Sequence, residues 1–196
     1  MEKDNIQKLL IDIGRQMVRE KGTDALTVRK LSEASGCSVG AIYNQFSNMD
    51  NFIIIQNFMT LEALYERLKR AAVSDEAFTD ANILVQEFVD FVLENKNLWY
   101  LLFNFHLTHP ERIYSIYYLR KVADIVHLLN KLVLQSVPDM ERPEQILSSQ
   151  ILWLCMFAVS SFLAKDVLDP FAKADKHTIC QILVNTYLAG LTVLEK

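Results

Sequence analysis

Residues Thr27 to Phe46, TVRKLSEASGCSVGAIYNQF, constrain this chain more than any other stretch, because they read as two short helices separated by one glycine-bearing turn. Thr27 is a good N-cap: its hydroxyl can accept from an amide that the helix start leaves without a partner, and Val28 and Leu31 then share one apolar face. Gly36 stands where the chain must adopt a backbone that glycine adopts cheaply. Ser38 can cap the second helix, Ile42 turns back toward Leu31, and small Gly40 and Ala41 leave the first turn able to approach another surface closely. A helix of that kind can enter the major groove of DNA, so the stretch is expected to be a helix-turn-helix.

Residues 10 to 52, LIDIGRQMVREKGTDALTVRKLSEASGCSVGAIYNQFSNMDNF, resemble the N-terminal DNA-binding domain of the tetracycline-repressor (TetR) family. The features that carry the resemblance are a leading helix ending at Gly22, the Leu26-Thr27-Val28 entry, the Gly36 turn, Gly40 with Tyr43-x-x-Phe46, and an apolar helix afterwards. Their combination is specific, whereas an isolated helix-turn-helix pattern has many false positives. The chain also departs from the family. Gly14 and Val18 stand where alanine and phenylalanine are usual, and an interior glycine weakens a helix by about 1 kcal/mol relative to alanine, so the first helix should lean on tertiary packing. Met49 occupies the place of a common phosphate-contacting lysine, so one backbone contact should be missing.

The resemblance implies an all-α fold of about nine helices, with a helix-turn-helix domain over 1–47 and a ligand-binding and dimerisation domain over 48–196. It implies a cytoplasmic DNA-binding regulator, more often a repressor, that binds a palindromic operator in double-stranded DNA as a homodimer and is released by a small-molecule effector. Carried over by position, Thr27 would place its amide and hydroxyl against phosphate, as helix starts do for anions. Ser38, Gly40, Tyr43 and Asn44 would form the DNA face of the second helix, with Tyr43 donating to phosphate, Asn44 or Gln45 hydrogen bonding to base or backbone, and Val39 and Ala41 touching thymine methyls. Phe46 is expected in the core. The implied dimer interface uses the last two helices of each subunit: Ile151, Leu154, Ala158 and Phe162 share one stripe, and Ile179, Ile182, Leu183 and Leu191 lie on the last helix, with the intrachain core as the alternative for all eight.

Apart from that resemblance, the chain reads as helical, without strand alternation or internal repeats. The expected helices after the motif start with one to about Ala72, capped by Ser47 with Asp50 in a capping box. The next is capped by Thr79 or Asp80 and runs to about Glu94; others cover Asn97–Leu107, Pro110 to about Gln135, 144–166 and about Lys173–Leu194. Pro138 and Pro143 should bound a loop, and Pro170 should end the penultimate helix.

The formal net charge of −4 argues against a general nucleic-acid binder with a broad basic surface. The first fifty residues balance seven Lys and Arg against seven Asp and Glu, so the deficit lies wholly in the remainder and the N-terminal part is the less repelled by phosphate. Lys8, Arg15, Arg19, Arg29 and Lys30 are either phosphate contacts or a solvated face paired with Asp4, Asp12 and Glu33. Cys37, Cys155 and Cys180 fit no disulfide framework and no zinc spacing, which predicts buried thiols in a reducing compartment. No signal peptide is expected, because Lys3, Asp4, Lys8 and Asp12 interrupt any apolar run at the start. Ile146–Ala164 has nearly the length of a membrane span but holds four serines and a glutamine and is bracketed by Glu144 and Asp166, so it is expected to be a helix buried on more than one side and not a membrane segment.

Trp99, Phe103, Phe105, Tyr114, Tyr117, Tyr118, Trp153, Met156 and Phe157 give the C-terminal part an aromatic wall with few polar groups. A ligand for it would be largely apolar or aromatic, and Trp99, Phe103, Tyr117, Trp153, Met156 and Phe157 are the candidate contacts. The HxxH pair His106 and His109 has no carboxylate at zinc spacing, and no P-loop, dinucleotide or nucleophile-elbow pattern occurs, so neither a metal, a cofactor nor a catalytic residue is expected. An enzyme built on the helical bundle, acting on a small apolar molecule, is the competing class.

Overall fold

The computed structural model describes residues 2–72, 81–108, 116–166 and 175–194. Among these lie α1 (Glu2–Lys21), a 3-10 turn (Thr23–Ala25), α2 (Val28–Ser35), α3 (Val39–Phe46), α4 (Met49–Ala71), α5 (Ala81–Glu94), α6 (Lys96–Thr108), α7 (Ile116–Ser136), α8 (Arg142–Ala164) and α9 (Lys176–Leu194). No strand occurs among the described residues, and the fold class is all-α as the sequence predicts.

Packing divides the chain into two units, one reaching Leu61 and taking in Asn95–Tyr118, the other made of Glu62–Glu94 and the residues from Leu119 onward. In the first unit α6 contributes Leu98 and Leu101 to the N-terminal core of Leu10, Val18, Leu26, Leu31, Ile42, Phe46 and Phe52. Asn97 fastens the same helix to α1 by donating its Nδ2 to the Arg19 carbonyl at 2.9 Å.

Gly14 explains itself in this core. A Cβ there would lie 2.5 Å from Phe52 Cζ and 3.3 Å from Leu26 Cδ1, so the ring of Phe52 occupies the space that alanine would fill. Loss of helix propensity in α1 is thus exchanged for close packing against α4. Arg15 corrects the expectation of a phosphate contact: it is buried and donates from Nη1 to the Gln56 carbonyl and to Thr60 Oγ1, both at 3.2 Å. Burial, with a smaller contribution from Arg19, pulls its guanidinium down to about 10.

Asn48, rather than Ser47, caps α4, its Oδ1 accepting from the Asn51 amide at 2.8 Å. Ser47 instead ends α3 with a φ of 66°, and so is unavailable for a capping box. Met49 packs partly against the N-terminal core, which accounts for an apolar residue at that place.

In the second unit, α5 buries Leu84, Val85, Phe88, Val89, Phe91 and Val92 and packs against α8 and α9. Phe88 meets Trp153 edge-on with ring centroids 6.0 Å apart. Pro143 lies in the first turn of α8 instead of bounding the preceding loop, where its missing amide costs nothing. Asp175 caps α9 through the Thr178 amide at 3.1 Å. The expected caps Thr79 and Asp80, as well as Pro110 and Pro170, lie outside the described residues.

Among the described residues α8 is the one helix long and apolar enough to cross a membrane, yet half of its most apolar window is buried within the chain. Buried Ser149, Ser160 and Ser161 donate their hydroxyls to the carbonyls of Gln145, Met156 and Phe157 one turn back, which lets polar residues sit in an apolar interior. Cys180 is buried, and burial pushes its thiol up to about 11, while Cys37 and Cys155 are half-buried.

Candidate nucleic-acid interface

The motif is built as its residue types dictate. Thr27 is extended (φ −123°, ψ 154°) and its Oγ1 accepts from the Lys30 amide at 3.3 Å, starting α2. Gly36 ends that helix in the left-handed region (φ 71°, ψ 2°), its amide donating to the Ser32 carbonyl at 3.0 Å. Ser32 Oγ donates to the Cys37 carbonyl at 2.6 Å and Ser35 Oγ accepts from the Cys37 amide at 3.2 Å, so the turn is fixed from both sides. Ser38 then starts α3, its Oγ accepting from the Ala41 amide at 3.2 Å. Both caps use the oxygen as acceptor, which leaves each hydroxyl proton for another acceptor such as a phosphate.

Two sides of α3 differ sharply. Ile42 and Phe46 are buried with Leu31, and Phe46 meets Phe52 edge-on at 4.8 Å. Opposite them Gly40, Tyr43 and Asn44 are exposed, Tyr43 by 41%; Val39, Ala41 and Gln45 are half-buried, and Thr27 and Ser38 are exposed at the helix starts. Thr27, Ser38, Val39, Gly40, Ala41, Tyr43, Asn44 and Gln45 therefore all lie on α3, its cap or the start of α2, and none of these eight is in the core. A Cβ at Gly40 would meet only Ser38 Oγ, at 3.9 Å, so internal packing does not require that glycine.

Charges near this surface are few. Lys30 Nζ donates to the Asp24 carbonyl at 2.9 Å, which holds it toward its own domain. Arg29 is exposed on α2, and Lys8 and Arg19 are exposed on α1.

The other candidates fall in separate places. Trp99, fully buried, and half-buried Phe103 belong to the first unit. There Tyr117 lines a cavity of about 270 Å³ with Ile54, Ile55, Phe58 and Tyr118. Beside it Tyr118 donates its hydroxyl to His106 Nε2 at 2.6 Å while His106 Nδ1 donates to the Leu102 carbonyl at 2.8 Å, which fixes the tautomer; burial lowers the His106 pKa. His109 lies outside the described residues.

In the second unit Trp153 lines a groove of about 820 Å³ between α7 and α8, together with Val122, Val126, Asn130, Arg142, Ser149 and others. Met156 is buried and Phe157 half-buried, and neither lines that groove. The polar members were not legible in the sequence, because the pairing of α7 with α8 brings together residues more than ten positions apart.

Of the interface candidates, Ile151, Leu154, Phe162 and Ile182 are exposed in the single chain, Leu154 and Ile182 each by 61%; Ala158, Ile179 and Leu183 are half-buried. Leu191 takes the intrachain alternative: it is buried with Val133, Val137 and Met140. Leu147 and Val193, which were not selected from sequence, are likewise exposed apolar residues on α8 and α9.

Residues 10–54 match the family model of bacterial regulatory proteins, tetR family. A possible TetR family transcriptional regulator from Streptomyces coelicolor A3(2) superposes with a TM-score of 0.67 at 13% identity, covering 96% of this chain and 99% of that one. The transcriptional regulator FadR from Bacillus subtilis, solved in complex with stearoyl-CoA, gives 0.63 at 15% identity over 93% of this chain and 98% of its own. PfmR, a TetR family transcriptional regulator from Thermus thermophilus, gives 0.53 at 16% identity over 92% and 97%. No curated protein matches the chain significantly. Residues 10–54 thus match the tetR family of bacterial regulatory proteins, and the chain that carries them has the fold of solved TetR-family transcriptional regulators.

Proposed function

We propose that this protein is a ligand-responsive repressor that binds a palindromic operator as a homodimer in the cytoplasm. One observation carries the reading: α3 turns Gly40, Tyr43 and Asn44 outward while burying Ile42 and Phe46, so the helix offers a polar, closely approachable face instead of completing a core. Eight residues of helix span few base pairs, so useful specificity calls for two copies on two half-sites. The exposed apolar residues Ile151, Leu154, Phe162 and Ile182 support an interface built from α8 and α9 of both subunits.

The effector is a largely apolar or aromatic small molecule. The apolar lining of the groove beside Trp153 and the aromatic side chains of α6 support that class. The relative from Bacillus subtilis holds stearoyl-CoA, which has a long apolar chain. Effector binding would favour a dimer conformation in which α4 carries the two recognition helices away from the separation of one DNA turn, about 34–36 Å. Linkage then requires that an effector weakening operator binding about a hundredfold itself bind about a hundredfold less tightly to the DNA-bound form.

The test begins with gel mobility of fragments selected from a randomised DNA pool, which an enzyme of the same fold need not shift. Any effector found is then titrated with and without operator by calorimetry; equal affinity in both states refutes the release mechanism. Leu154→Glu and Ile182→Glu should convert dimer to monomer in analytical ultracentrifugation and reduce operator binding with it. A dimer unchanged by both substitutions would remove α8 and α9 from the interface.

A further inference from the structure

We infer that the base pairs lying beneath α3 in each operator half-site are A·T pairs, read by amide and apolar contacts; this rests on the DNA-reading function proposed above. From Gly36 through Met49 the chain contains no Lys, Arg, Asp or Glu, so the recognition helix and both its flanking turns carry no ionised side chain. In the major groove guanine presents two acceptors, N7 and O6, and matching both takes two donors from one side chain, the role of arginine or lysine. A side-chain amide has one donor group and one acceptor, and that pair fits adenine N6 and N7.

Asn44 is exposed and Gln45 half-buried, and neither side-chain amide is engaged with another group among the described residues. Val39 and Ala41 present methyl groups at the first turn, the chemistry that meets the thymine C5-methyl. Gly40 between them has no side chain to hold the helix away.

Cations that could read guanine lie off this helix. Lys30 is held by the Asp24 carbonyl, whereas Arg29 is exposed at the start of α2. A guanine selected in the half-site should therefore depend on Arg29 and fall outside the pairs that Asn44 reads.

The experiment is selection from a randomised duplex pool at fixed salt with the full-length protein, its Asn44→Ala and Arg29→Ala variants, and Asn44→Arg. Folding of each is checked by circular dichroism. Wild type should enrich half-sites with a run of A·T pairs. Asn44→Ala should lower discrimination at one or two of those pairs about tenfold to a hundredfold, while Arg29→Ala leaves the run intact. Asn44→Arg should replace the preference at the same position by guanine. G·C pairs at the positions that Asn44→Ala flattens, or no position flattened by it, would overturn the inference. Failure of the folded wild type to enrich any sequence would instead overturn the DNA-reading function on which it rests.

Discussion

Replacing Gly40 with alanine should make the protein more stable and a poorer DNA binder. On the folding side, the added Cβ meets only Ser38 Oγ at 3.9 Å, an ordinary van der Waals distance, and residue 40 lies within α3. Alanine exceeds glycine in helix propensity by up to about 1 kcal/mol in an interior, and about half of that is reasonable for the first turn. For a chain of this size the gain corresponds to roughly 1–2 °C in Tm. On the DNA side, the new methyl extends about 1.5 Å from Cα toward any surface seated against the helix. Holding the DNA back by that amount stretches neighbouring contacts from Ser38 and Asn44 well past the usual hydrogen-bond length of about 2.7–3.2 Å. Two neutral bonds lost at about 0.5–1.5 kcal/mol each would weaken a half-site by about fivefold to a hundredfold. Thermal denaturation and fluorescence anisotropy on a selected operator measure the two effects separately. Unchanged DNA affinity in a stabilised variant would show that nothing approaches Gly40. A destabilised variant would show that the open space beside it is wrong.

Gly14→Ala should act in the opposite sense: its Cβ would sit 2.5 Å from Phe52 Cζ, and because that ring is buried against Phe46, overpacking should outweigh the propensity gain. A net loss on the order of 1 kcal/mol in urea denaturation, with operator affinity of the folded protein unchanged, is the expected outcome. Asn57 is buried with neither side-chain Nδ2 nor Oδ1 hydrogen bonded among the described residues, so Asn57→Leu should raise stability by about 1–2 kcal/mol; a lower Tm would mean that the amide is serving a role that packing alone does not reveal. His106 has its pKa lowered below the ordinary 6.5 by burial, so the unfolded chain takes up the proton first: stability is full above pH 6.5 and declines as pH falls from there through the folded value. His106→Gln should flatten that part of the acid limb in pH-dependent denaturation, and an identical limb in both proteins would exclude the histidine as its source.

Local rules made most of the helix-turn-helix segment readable. Thr27, Gly36 and Ser38 act through their own backbone neighbours within five residues, so capping and left-handed geometry follow from residue type and order alone. The burial of Phe46 and the exposure of Tyr43 follow from helical periodicity once Leu31 and Ile42 fix which side faces inward. Ser47 failed as a cap because the end of α3 demanded it first, a competition between adjacent elements that a one-element rule overlooks.

What lay beyond the sequence depended on contacts between distant segments. A charged residue on an amphipathic helix reads as surface, yet Arg15 is buried because Gln56 and Thr60, on a helix forty residues later, supply acceptors for it. Gly14 looks like a defect until Phe52 is placed beside it. Leu191 looked equally suited to an interface or a core, and only its packing against α7 and Met140 decided for the core. Residue order determined the helices, their caps and the chemistry displayed by α3, because those depend on neighbours along the chain; tertiary packing decided which apolar and charged faces were covered, because burial depends on neighbours in space.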